Sequence, residues 1–240
     1  MSAILLARRA RLWYLLRKGG DNVAFSQETL DFLMENRIND SRLWFNEHKA
    51  EYTHFVRDPM RGLVEALAPC LEKIDPMIVC DPVRSVSRIW RDARYSNTLF
   101  RENLWCDFSR DRHIHMLPSF FFEITPVGFT YGCGCYETGS DFMGEYRRLI
   151  LAGSPLFTDA LEAVRASGFR LIDSRYKRTR HPDAPEWQRE WLDQRSPCVI
   201  LESGELGTLF SDGLPDFLAD KFTAVKPLYD FLLFVASTIM

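Results

Sequence analysis

The chain has 240 residues, of which 46% are hydrophobic, 26% charged and 13% aromatic. These are globular proportions, which exclude a disordered, fibrous or collagen-like chain. The net charge of −3 is uneven: residues 1–20 hold five basic and no acidic side chains, and the other 220 carry 25 basic against 33 acidic. A net-acidic body disfavours broad non-specific nucleic-acid binding, which needs many phosphate-neutralising charges.

A chain of this length buries roughly 70–75% of its unfolded surface, so its fold needs neither disulfides nor a metal. The six cysteines lack the spacing of a disulfide scaffold, and free thiols in a reducing compartment are expected. At the N-terminus, apolar residues precede the charges, the reverse of a secretory signal. A cytoplasmic location is therefore expected, with no transmembrane segment, since each apolar run is too short to span. Residues 1–23 read as a basic extension and 24–240 as one α+β domain.

Ser26 is a suitable N-cap for a helix through Asn36. Asn39-Asp40-Ser41 opens a second helix, on which Trp44, His48, Tyr52 and Phe55 share an aromatic face. Asp58-Pro59 starts a third, which Asp75-Pro76 ends. The period then changes to two. Strands are expected over 83–91 and 104–109, and over 119–125 and 129–136 around the turn Pro126-Val127-Gly128. Helices follow near 141–152, 155–167 and 185–194, with strands near 169–176 and 198–202. Two helices, about 212–223 and 227–238, close the chain. Helices, then sequential strands, then helices predict an α+β fold with a central, mostly antiparallel sheet.

Between Arg84 and Arg101 five arginines face one carboxylate, Asp92. A guanidinium keeps its charge and suits phosphate or carboxylate. A second basic island holds Arg170, Arg175, Lys177, Arg178 and Arg180 around Tyr176. If the two strands are neighbours, Arg88, Arg91 and Arg94 clamp an anion, Lys177 and Arg178 assist, and Trp90 and Tyr95 shape the wall. The alternative is an internal lattice of salt bridges drawing on Asp92, Glu123, Glu137 and Glu145. With such a lattice the chain would be a non-enzymatic interaction module; a further alternative is a nucleic-acid accessory protein, with the basic N-terminus and both islands tracking phosphates. Trp44, Phe45, Tyr52, Trp90, Tyr95 and Trp105 could stack a base or sugar, but core packing is the simpler reading at this spacing.

Asp92 and Glu123 are the better acid–base candidates. Cys106, Cys133 and Cys135 with His113 and His115 could make a zinc or iron site. Its C-x-C spacing is not that of common zinc sites, and buried core thiols are the simpler reading. No P-loop, dinucleotide fingerprint or nucleophile elbow is present, and no cofactor is expected. The expected partner is an anionic small molecule; the oligomeric state is not set by the sequence.

Several motifs together resemble an uncharacterised bacterial and fungal family, domain of unknown function 2461. They are N-D-S-R-L-W-F-N-E-H-K-A-E-Y (39–52), R-I-W-R-D-A-R-Y-S (88–96), T-L-F-R-E-N-L-W (98–105), S-F-F-F-E-I-T-P-V-G-F-T-Y-G-C-G-C-Y (119–136) and R-Y-K-R (175–178). The likeness spans about residues 24–238 and implies a soluble α+β protein, but no reaction. Where the family runs through an acid and a lysine after its R-F-S step, Ser96-Asn97-Thr98 here makes a shorter, less charged loop.

Overall fold

A computed structural model describes residues 24–92 and 94–240; the basic extension over residues 1–23 lies outside the described residues. Helix α1, Gln27–Asn39, starts at Ser26, whose backbone N–H donates to Thr29 Oγ1 at 3.0 Å. Helix α2, Arg42–Glu47, is capped by Ser41, which accepts from Trp44 N–H at 3.4 Å. The second helix expected from the sequence is not continuous. It breaks at His48, resumes as the short α3, Lys49–Glu51, and widens into a π-helical turn, Tyr52–Arg57. Two side-chain interactions hold this irregular stretch. His48 stacks on Trp44 with centroids 4.2 Å apart and its Nδ1 donates to Trp44 O, while Thr29 Oγ1 donates to Phe55 O at 2.6 Å. The turn runs into α4, Asp58–Ile74, with Pro59 in its first turn and Met60, Leu63, Leu67 and Leu71 buried.

Among the described residues, five strands form one antiparallel sheet: β1 Leu104–Phe108, β2 Ser119–Thr125, β3 Gly128–Gly134, β4 Arg170–Leu171 and β5 Cys198–Ser203, in the order β1-β2-β3-β5-β4. Period-two alternation sorts the side chains. Leu104, Cys106, Phe108, Phe120, Phe122, Ile124, Phe129, Tyr131 and Cys133 are buried on one face. Trp105, Asp107, Phe121, Glu123 and Thr130 are half-buried on the other. On that second face the Phe121 ring lies over Gly132, where a Cβ would sit 2.7 Å from the ring and 2.2 Å from the Val199 oxygen.

The strand expected over 83–91 does not form. Asp81 instead accepts from the Val83 and Arg84 N–H groups in a turn, and Ser85 Oγ donates to Val79 O. Ser87 bonds Trp105 through both its N–H and its Oγ. These side-chain bonds replace a regular ladder, leaving isolated bridges at Val86–Cys106 and Trp90–Phe100. Likewise the strand expected over 169–176 is reduced to Arg170–Leu171. Beyond it Ser174 Oγ bonds Gln194 Oε1 and Ser196 O, and a single bridge joins Arg175 to Gln194.

Helices α5, Ser140–Leu151, α6, Pro155–Ser167, and α7, Glu186–Leu192, follow the expected positions. A short α8, Leu206–Leu209, leads to α9, Leu214–Ala224, and α10, Lys226–Ser237. Phe222 of α9 and Tyr229 of α10 pack on Phe120 at 5.1 and 4.9 Å, covering the phenylalanine-rich face. Behind α10, Phe231 meets Tyr146 of α5 and Phe157 of α6, so a second helical layer lies beyond the first. No helix among the described residues is long and apolar enough to cross a membrane.

One buried carboxylate ties these layers. Asp75, just past α4, accepts from Arg110 Nε at 2.6 Å, Tyr229 Oη at 2.5 Å and Met77 N–H at 3.0 Å. Burial alone raises a carboxyl pKa, but these three donors outweigh it and hold Asp75 below the usual aspartate range. The folded value is depressed, so the stabilisation is complete above the unfolded value of about 3.9 and is lost as pH falls through the folded value. Asp75→Ala should cost about 2–3 kcal/mol in urea unfolding at pH 7, allowing for the partly exposed Arg110. The gap from wild type should shrink as the pH drops below about 4; a pH-independent gap would contradict this role.

Candidate functional site

The first arginine-rich segment folds back as an irregular hairpin. Arg91 N–H donates to Leu99 O and Arg101 N–H to Ile89 O, at 2.9 and 2.8 Å. Its outer side packs on the N-terminal helices: Trp90 and Phe100 are 4.3 Å apart, and both meet Phe45, at 5.2 and 4.8 Å. Asp40 clamps the returning arm, its carboxylate accepting from Leu99 N–H at 2.8 Å and Phe100 N–H at 3.0 Å. Asp40 itself adopts a left-handed backbone at φ 40°, which aspartate tolerates better than most side chains.

The arginines of this segment differ sharply in what they face. Arg94 is spent on Asp92, with Nη2–Oδ2 at 2.6 Å, and its guanidinium lies 5.5 Å from the Tyr95 ring. Asp92 is held at about 2 chiefly by that side-chain bond, so it stays ionised and occupied at neutral pH. Tyr95 is 84% exposed and shapes no wall. Arg88 is exposed, with no ion pair among the described residues. Arg91 donates Nε–H to Phe100 O at 2.9 Å and meets no carboxylate there.

Arg101 is the most constrained of the set. Its guanidinium lies 4.6 Å from the Trp105 ring, and its Nε is buried without a hydrogen-bond partner. Burial, and then the neighbouring charge of Arg91, press its pKa below the usual arginine value. Such a guanidinium still carries its charge. Beside it, on the half-buried sheet face, Asn103 donates to Glu123, which sits opposite Trp105 in the β1–β2 register. Glu102 is paired with Arg37. The sheet face therefore presents Arg101 over Trp105, with the charge of Arg91 beside it and an amide and a carboxylate alongside.

The second basic island is elsewhere. It leaves β4, at the opposite edge of the sheet from β1, with β2, β3 and β5 between them. The structure does not bring Lys177 and Arg178 to Arg88, Arg91 and Arg94; both are exposed on the loop after β4. Tyr176 instead gathers Arg180, Arg195 and Arg147, whose guanidiniums lie 4.3, 5.2 and 5.8 Å from its ring. Arg147 is held by the carbonyls of Leu192, Gln194 and Met143.

The thiol and imidazole candidates are not assembled. Cys106 and Cys133 point into the core, and Cys135 donates to Met116 O, all three fully buried. Burial pushes each thiol pKa up, away from the thiolate a metal requires. His113 and His115 lie on an exposed turn. Among the described residues no group of three or more His, Cys, Asp or Glu is placed to hold a metal ion.

Asp40→Ala should release the Leu99–Phe100 arm, and native-state hydrogen exchange should show protection at these two amides falling about tenfold or more. Unchanged exchange would mean that aromatic packing alone holds the hairpin.

A model of the family described as "Conserved hypothetical protein (DUF2461)" matches residues 28–231. No curated protein matches the chain.

Proposed function

The chain belongs to the conserved hypothetical protein family DUF2461, and from its own geometry we propose that it binds a phosphorylated or carboxylated small molecule at Arg91 and Arg101. The reading rests on one observation: two neighbouring guanidiniums lack a carboxylate partner, and one of them has a buried, unpartnered Nε against an indole. Bringing an oxyanion to this pair relieves their mutual repulsion and gives that Nε–H an acceptor. Charge-assisted, bidentate contacts of this kind are strong. Trp105 provides a flat wall, and Asn103 and Glu123 add an amide and an acceptor for a neutral polar group beside the anion.

Arg88, exposed and without an ion pair among the described residues, adds favourable field; Arg84, also exposed, lies 3.8 Å from Asp81. Arg94 contributes to the internal lattice rather than the clamp, because Asp92 already satisfies it. Glu123 is the only acid–base candidate left facing the proposed ligand.

Thermal shift with inorganic phosphate, a sugar phosphate and a dicarboxylate tests the proposal. At least one should raise the melting temperature with the logarithmic concentration dependence of mass action. Arg101→Gln should weaken binding by about 1.5–3 kcal/mol, or ~10- to 100-fold, whereas Arg94→Ala should respond like wild type. Wild type unmoved by every anion, or an Arg101→Gln response equal to wild type, would refute the assignment.

A further inference from the structure

A concavity of about 370 Å³ opens between α6, β4 and α7. Its volume falls within the range of small-molecule sites. Leu161, Val164, Phe169 and Trp191 line it as buried apolar surface. Four charged side chains also line it: Arg165 and Arg175, Asp173 and Glu190. All four are exposed, and among the described residues none makes an ion pair or a side-chain hydrogen bond. Arg165 has only the Trp187 ring, 5.8 Å from its guanidinium. A fifth charge, Arg170, is occupied by Glu202 at 2.9 Å.

Opposite charges that line one small cleft without neutralising each other match a ligand carrying both signs. A simple anion meets two carboxylates there, and a simple cation meets two arginines. A zwitterion satisfies both sets, and the apolar lining takes an uncharged body of a few carbons. We propose that this cleft binds an α-amino acid with an apolar side chain. Arg165 and Arg175 face its carboxylate, Asp173 and Glu190 its ammonium, and the leucine, valine and aromatic surface its side chain. This site lies at the β4 edge of the sheet and is independent of the Arg91–Arg101 reading.

Calorimetric titration of the full chain with L-phenylalanine, 3-phenylpropanoate and 2-phenylethylamine provides the test. The amino acid should bind saturably, and each single-charge analogue should bind ~10-fold or more weakly, having lost one charge-assisted contact. Arg175→Ala should remove the preference for phenylalanine over phenylethylamine. Asp173→Asn should reduce its preference over phenylpropanoate. Both residues are exposed, so neither substitution threatens the fold. Arg101→Gln should bind phenylalanine as wild type does, which separates the two sites. Phenylpropanoate binding as tightly as phenylalanine, no saturable heat from any of the three up to ~10 mM, where even millimolar affinity registers, or unchanged preferences in both variants would overturn the proposal.

Discussion

One face of the sheet is buried beneath aromatic helices and the other is only half-buried, and the arrangement of charge follows from that asymmetry. Phe120, Phe122 and Tyr131 take the inner face with Phe222 and Tyr229, so no charged group can sit there without a partner. Asp75, the carboxylate that enters this interior, meets three donors. The alternate positions of the same strands carry Trp105, Asp107, Glu123 and Thr130, which are only half-buried.

The arginines divide along similar lines. Arg94, Arg110, Arg148 and Arg170 are paired with acids, and Arg147 donates to backbone carbonyls at the end of α7. Arg91, Arg101, Arg165 and Arg175 have no carboxylate among the described residues. A lattice of internal salt bridges therefore accounts for part of the basic content, and the proposed sites draw on the remainder. The two proposed sites draw on arginines at opposite edges of the sheet.

Local irregularity positions the first of these. The Ser85 and Ser87 side chains interrupt what would otherwise be a sixth strand, and the interrupted chain folds into the 89–101 hairpin instead. Asp40 and the Phe45–Trp90–Phe100 cluster then hold that hairpin against the N-terminal helices. Trp90, expected to line a ligand wall, is used for this packing. Arg101 is directed across Trp105 in its place.

Periodicity and capping signals, which act over a few residues, determined the helices at 27–39, 155–167 and 226–237, the hairpin around Gly128, the α+β class and the burial of Cys133 and Cys135. The arginine-rich composition of 84–101 and 170–180 was equally legible. Pairing between distant segments was not, because sheet order and the Asp40 clamp depend on contacts many residues apart. Spacing alone could not tell that Arg94 meets Asp92 while Arg101 meets an indole, nor that β5 intervenes between β3 and β4 and keeps the two basic islands apart. A charge's function is set by what surrounds it in three dimensions, and only the tertiary structure supplies those surroundings.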